Sequence, residues 1–345
     1  MYNISVIGHF GFGLQLLNGQ TIKTKIVTNE LESIYGSENV KRHDTHGGVK
    51  FILRMPFVIL RMLSYSKNII ITPGKNGLFI MMPLIVFLNL FLGRNILYVV
   101  IGGWLPDLLK KRMLIRSLLK HINGIFVETL SQQQQMEALG LQNSYIMPNC
   151  KRLEIINDIT PRYTSDHISL CTFSRVMREK GIEDAIEAVK TANGKIGRDV
   201  FSLDIYGQVW NRQEEWFKSL IKAQPQYIRY KGCIDYNSSS NSLKNYFALL
   251  FPTYYEGECF AGTIIDAFAA GLPVIASDWH DNPNIIKDNV NGIIFPTKSV
   301  EALSSILMDI YANPTKIDGM RSNCIQEAAK FQPDRVVCIL TSQIR

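Results

Sequence analysis

Between Glu256 and Pro296 the chain reads Glu256-Gly-Glu258-Cys-Phe260-Ala261-Gly262-Thr263-Ile-Ile-Asp266, then an alanine-rich run to Gly271, Pro273-Val-Ile-Ala-Ser277 and Asn291-Gly292-Ile-Ile-Phe-Pro296. Few folds accommodate this order. Ala261, Gly262 and Thr263 are small enough for a turn into a short apolar helix, which Gly271 and Pro273 stop. Val274-Ile-Ala276 then reads as a buried strand. Glu258 stands in the loop before the helix, and Asp266, eight positions on, in its first two turns. Backbone N–H groups at the helix start point at whatever lies between the two carboxylates. Carboxylates accept from hydroxyls and free amides donate to oxygens, so the pattern suits a polyhydroxylated ligand with an anionic tail.

The same alternation extends along the chain. Apolar runs at Ile4–Ile7, Asn68–Thr72, Ile96–Ile101, Ile125–Val127 and Tyr145–Met147 read as buried parallel strands with amphipathic segments between them. Pro148-Asn149 breaks this pattern, and 151–166 is polar and irregular, as a linker would be. A second series follows: strands at His167–Phe173, Phe201–Tyr206, Tyr227–Tyr230 and Leu249–Pro252, with helices at Ile182–Thr191, Glu214–Ala223 and Leu243–Tyr246. Strands separated by helices imply a right-handed, doubly wound sheet in each half. The expected organisation is a Rossmann-like domain over 1–150, a linker over 151–166, a second such domain over 167–325 and a closing helical segment over 326–345.

The stretch around Glu258 resembles the donor-sugar signature of retaining glycosyltransferases of family 4, the group-1 type with the GT-B fold. Their pattern is Glu-x7-Glu, a helix, Gly-x-Pro-Val-Ile-Ala-Ser and later Asn-Gly. Asp266 stands where the family has its second Glu, with the same chemistry and one methylene less reach. Further upstream, Ser174-Arg175-Val-Met-Arg-Glu-Lys180-Gly181 resembles the family's Gly-Arg-x4-Lys-Gly, with Ser174 for the usual glycine. Two cations in a strand-to-helix loop suit a departing pyrophosphate on chemical grounds as well. The resemblance implies a fold of two Rossmann-like domains facing a cleft, with the C-terminal helices crossing back to the N-terminal domain. It also implies transfer, with retention, of a hexose-type sugar from a nucleoside diphosphate, expected to be UDP, to a glycan or lipid-linked glycan hydroxyl. Arg175 and Lys180 would neutralise the leaving diphosphate. Glu258 would orient the sugar together with amides of Phe260, Ala261 and Gly262 beside Thr263, and Asp266 would bind ribose. Gly232 and Ile234, in Tyr230-Lys-Gly232-Cys-Ile234, take the place of a motif whose backbone reads the base. Asn18-Gly19 takes that of a Gly-Gly loop approaching the phosphate.

The chain departs from this pattern around the reaction centre. Where many members close the fourth strand with a His, it has Val100-Ile-Gly102-Gly103-Trp104. Gly102 and Gly103 allow close backbone approach and Trp104 could stack on a sugar, or the three form a turn with a core-edge Trp. His9 is a substitute for that His or an ordinary loop residue. His280, within His280-Asp-Asn-Pro-Asn284, is a further cleft candidate. No Asp-x-Asp is present, so neither a metal nor another cofactor is expected. Gly8, Gly11 and Gly13 lack the spacing of a dinucleotide fingerprint. Six cysteines without Cys-x-x-Cys pairing read as buried free thiols of a reducing cytosol. Met1-Tyr-Asn-Ile-Ser goes straight into a strand rather than a signal peptide.

Charge is uneven. Residues 1–160 carry 17 Lys and Arg against 9 Asp and Glu. The segments 51–63 and 108–120 are basic and amphipathic, suited to an anionic bilayer surface or to packing on a sheet with solvated basic faces. The apolar run Leu78–Leu92 is shorter than the roughly 20 residues of a spanning helix. It reads as a buried helix, with a helix that dips into a membrane and a true span as the alternatives. Nothing resembles a nucleic-acid-binding motif. The expected setting is the cytoplasmic face of a bacterial membrane, in polysaccharide assembly. An epimerase of the same fold and a non-catalytic nucleotide-sugar binder are the alternatives.

Overall fold

The computed structural model describes residues 2–13, 19–158, 160, 163–164, 166–235 and 238–345; Asn18 and parts of 151–166 lie outside these. The chain forms two units, Met1–Cys150 with Gln332–Arg345, and Lys151–Phe331.

The first unit starts β1 (Tyr2–Gly8), α1 (Gly19–Tyr35), β2 (Val40–Asp44), α2 (Val49–Tyr65), β3 (Ser66–Thr72) and α3 (Lys75–Leu92). It continues β4 (Asn95–Val99), α4 (Leu105–Lys111), α5 (Met113–Leu119), β5 (Gly124–Val127), α6 (Leu130–Ala138) and β6 (Ser144–Ile146). All neighbouring strands are parallel, in the order β2-β1-β3-β4-β5-β6. Runs such as Asn68-Ile-Ile-Ile-Thr72 are buried throughout because helices cover both sheet faces. β2, Val-Lys-Arg-His-Asp, is the strand that apolar runs did not reveal. It is an edge strand bonded only to β1, and its solvent side tolerates charge.

In the second unit β7 (Ile168–Phe173), α7 (Ile182–Ile196), β8 (Phe201–Tyr206), α8 (Glu214–Lys222), β9 (Ile228–Gly232) and α9 (Ser239–Leu243) come first. β10 (Ala248–Phe251), α10 (Gly262–Ala269), β11 (Val274–Ser277), α11 (Asn282–Ile285) and β12 (Gly292–Phe295) follow. Then come α12 (Val300–Ala312), α13 (Pro314–Asp318) and α14 (Arg321–Ala328). The sheet is again parallel, ordered β12-β11-β10-β7-β8-β9. The final helix, α15 (Pro333–Thr341), belongs to the first unit, where Val336, Val337 and Leu340 join Ile4, Val27 and Leu31 in one core.

Three local expectations change. The helix placed at Leu243–Tyr246 ends at Leu243, since Ser239–Leu243 forms the turn and Tyr246 leads into β10. The segment 108–120 is two helices, broken where Arg112 leaves helical geometry at φ −133°, ψ 76°. The apolar helix α3 is buried along one flank only: Leu78, Met81, Met82 and Ile85 are in the core, while Phe87, Leu90 and Phe91 are exposed. Four cysteines are buried as expected, but Cys233 and Cys338 are exposed.

Candidate active site

Strand order explains why residues far apart in sequence meet. From β7 the chain winds to β8 and β9 on one side, then returns to build β10, β11 and β12 on the other. Loops leaving the carboxyl ends of β7 and β10 therefore diverge and leave a crevice, the position where open α/β sheets bind ligands. The β7 loop carries Arg175 and Lys180, and the β10 loop carries Glu258. Gly181 lets the two loops approach closely, and the Tyr254 N–H donates to the Glu179 carbonyl between them at 2.8 Å. The φ of Gly181 is 69°, and a Cβ there would lie 2.1 Å from the Pro252 carbonyl oxygen at the end of β10.

Lys180 and Glu258 form a nearly enclosed ion pair, their side chains 11% and 10% exposed. The Thr253 hydroxyl donates to the same carboxylate oxygen, Oε2, at 3.1 Å. The ammonium also lies 5.1 Å from the Tyr255 ring centroid and 5.5 Å from that of Phe251. Among the described residues Lys180 thus has one carboxylate partner and two aromatic neighbours, and a phosphate oxygen is a group that can compete for such an ammonium.

Behind the pair, α10 begins at Gly262 with no side-chain cap from Ala261; the Ile264 N–H donates to the Ala261 carbonyl at 3.0 Å, and the amides ahead of it receive no side-chain partner from that residue. Thr263 Oγ1 donates to the Phe173 carbonyl at 2.7 Å and fixes the helix start to the end of β7. Phe260 is buried and packs edge-on to Phe331 with centroids 5.0 Å apart. Asp266 is 3% exposed, and its Oδ1 accepts from Lys151 and Ser239. Burial pushes its carboxyl above the ordinary range, opposed by Lys151 and then Ser239. Both contacts fall on Oδ1, so Oδ2 keeps its acceptor capacity.

Arg175 is exposed and lines a polar cavity of about 370 Å³ with Gln208, Val209, Trp210, Asn211 and Arg212. Gly232 ends β9 at φ 76°, and its carbonyl accepts from Gly207 N–H at 2.8 Å. Ile234 packs on the core beneath α10. His280 is exposed, its ring edge-on to Trp279 at 4.5 Å, and Trp279 donates to the Tyr255 carbonyl.

The remaining candidates lie in the first unit. His9 follows β1, with Nδ1 2.7 Å from Thr21 Oγ1 and Nε2 3.2 Å from His46 Nδ1. Gly19 is the exposed first residue of α1. Gly102 takes φ 84°, and Trp104 donates to the Ile101 carbonyl at 2.9 Å while packing on the core, so its indole N–H is used within its own turn. Next to the carboxyl end of β3, a cavity of about 550 Å³ is lined by residues including Gln20, Phe51, Met55, Lys75, Ile80 and Met81. Lys151, Ser239 and Thr253 escaped sequence reasoning. Each is an unremarkable polar residue whose importance comes only from the carboxylate it meets.

Two doubly wound parallel-sheet units place this chain in the GT-B class. A solved sucrose-phosphate synthase from Thermosynechococcus elongatus shares the fold at TM-score 0.75 and 14% identity, covering 99% of this chain and 98% of that one. The structure of Anabaena HepE in complex with UDP-glucose does so at TM-score 0.71 and 13% identity, with the same coverage. Residues 160–331, just under half of the chain, match the family described as Glycosyl transferases group 1. The phosphatidyl-myo-inositol mannosyltransferase of Mycobacterium leprae is 25% identical over 199 residues, 56% of this chain and 51% of that protein. The chain thus spans about half the length of this curated relative.

Proposed function

We propose that this protein is a retaining glycosyltransferase that moves a hexose-type sugar from a nucleoside diphosphate, UDP first among the candidates, to a hydroxyl of a glycan or lipid-linked glycan. The observation that carries the proposal is the Lys180–Glu258 pair at the β7/β10 crevice. An incoming diphosphate takes over the Lys180 ammonium and frees Glu258 to accept from hydroxyls of the donor sugar. Arg175 adds a second positive charge to the leaving group. The amides at the start of α10 donate to donor oxygens, Asp266 Oδ2 accepts from the ribose, and the backbone at Gly232 and Ile234 borders the base. The acceptor oxygen attacks the anomeric carbon on the face from which the phosphate leaves. The sugar–phosphate bond breaks, and the departing phosphate oxygen takes the acceptor proton. Lys180 and Arg175 supply the positive charge, so the proposal includes no metal.

For the acceptor side the support is in the first unit. α2, α3 and α5 carry eleven of the sixteen large apolar side chains that stand exposed among the described residues, Leu53, Phe57, Phe91 and Met113 among them. Between residues 49 and 120 the one acidic residue is Asp107, against Arg54, Arg61, Lys110, Lys111 and Arg112 within or beside these helices. Exposed apolar side chains on helices that also carry cations fit an anionic membrane surface, here the cytoplasmic face in surface polysaccharide assembly.

The test is transfer from UDP- and GDP-sugars with a chelator present, alongside calorimetry with the free diphosphates. Glu258→Gln and Arg175→Ala each lower turnover by about a hundredfold or more. Glu258→Gln also binds the nucleoside diphosphate at least as tightly as wild type, because Lys180 no longer has a carboxylate to give up. Unchanged turnover in both variants would sink the proposal.

A further inference from the structure

The loop after β8 is laddered onto the loop that carries Arg175. Val176 N–H donates to the Gln208 carbonyl at 2.9 Å, and Trp210 N–H returns to the Val176 carbonyl at 3.0 Å. Ser174 N–H donates to the Tyr206 carbonyl at 3.2 Å. Between these bonds sits Gly207, where a Cβ would lie 1.7 Å from the Ser174 carbonyl oxygen, so only glycine permits so close an approach. The far end of the loop is held as well: Gln213 Oε1 accepts from Arg178 N–H at 2.7 Å. Arg212 therefore has a defined position on the cavity of about 370 Å³ that Arg175 lines. Its guanidinium lies 5.7 Å from the Trp210 ring centroid.

Among the described residues the cavity is lined by two arginines, Gln208 and Asn211, and by no residue that carries a carboxylate. The nearby cations Arg178 and Lys180 are taken by Glu183 and Glu258, whereas Arg175 and Arg212 carry no ion pair among the described residues. Two uncompensated forks and two amides on a braced loop match the acceptors of one tetrahedral oxyanion.

We infer that Arg212 and Arg175 form a phosphoryl clasp, with Arg212 a binding residue in its own right. The inference rests on the donor reading where the phosphoryl group is the terminal phosphate of the donor. A phosphate borne by the acceptor would present the same chemistry.

Calorimetric titration of wild type, Arg175→Ala, Arg212→Ala and Arg212→Lys with UDP, GDP, UMP and inorganic phosphate tests it. A donor clasp makes Arg212→Ala weaken the diphosphate by about tenfold and leave UMP unchanged, with Arg212→Lys restoring part of the loss. An acceptor clasp leaves diphosphate affinity intact in Arg212→Ala but abolishes the binding of inorganic phosphate to the UDP-saturated protein. Arg212 is exposed, so matching thermal melts are expected and separate a binding loss from unfolding. If Arg175→Ala loses the diphosphate while Arg212→Ala changes neither titration, the clasp is overturned and the donor reading survives. If wild type binds no nucleotide, the donor reading falls, and phosphate binding insensitive to Arg212 overturns the clasp with it.

Discussion

The two units share a parallel doubly wound architecture but distribute polarity in opposite ways. The second draws charge inward at the mouth of its sheet: Lys180 meets Glu258 and Lys151 meets Asp266, all four side chains at or below 11% exposure. The first encloses Lys23 with Glu128 and sends apolar surface outward on α2, α3 and α5. Under the proposed function, the enclosed pairs of the second unit meet a charged, hydroxylated ligand and the exposed apolar face of the first meets an anionic membrane surface.

Lys151→Ala gives the sharpest test of the inward-charge side. It strands a buried carboxylate at Asp266, and removing one partner of such a pair costs about 3–5 kcal/mol. Chemical denaturation should show that loss in the transition of the second unit, and the double change Lys151→Met with Asp266→Leu should recover most of it. A cost below about 1 kcal/mol would mean the pair is solvated and the contrast between the units is superficial.

His43 in β2, which has no carboxylate partner among the described residues, tests how the first unit treats a buried titratable group. Burial, with Lys41 and Arg61 adding repulsion, pushes its pKa down to about 4 from 6.5. Between those values the unfolded chain binds a proton that the folded one refuses. The stability from neutral His43 is therefore complete above about pH 6.5 and lost as pH falls toward about 4, a swing on the order of 3 kcal/mol. Urea titrations near pH 7 and near pH 4.5 should show His43→Gln flattening this acid limb. Equal slopes in variant and wild type would place a charged His43 in the fold.

The smallest effect concerns the outward apolar face. Phe57 is 77% and Phe91 78% exposed, so charge there leaves the fold intact. Phe57→Glu or Phe91→Glu should each lower partitioning onto vesicles containing anionic lipid by about tenfold, without shifting the melting temperature. Wild-type protein that ignores such vesicles but self-associates would assign the face to a second copy instead.

Much of the molecule was legible beforehand because its signals are local. Continuous runs such as Asn68–Thr72 mark strands covered on both faces, and the Glu258-to-Asn291 spacing marks the β10 loop, α10 and β11 in order. β2 was not legible, because one-sided pairing leaves no apolar run. Nor was the exposed flank of α3, where a composition apolar all round conceals which side meets the sheet. Arg212 gave no signal at all, since an arginine in a polar loop is ordinary until the loop's bracing is seen.

The sequence alone determined the alternation of strands and helices, the identity of the carboxylates and cations, and the basic bias of the first half. These depend on residue type and near spacing. Only the tertiary structure decided that Lys180 neutralises Glu258, that Lys151 rather than open solvent faces Asp266, and that Arg212 shares a cavity with Arg175. Such partnerships follow from strand order, which brings Lys180 to Glu258 across 78 residues and Lys151 to Asp266 across 115, and no local pattern encodes that order.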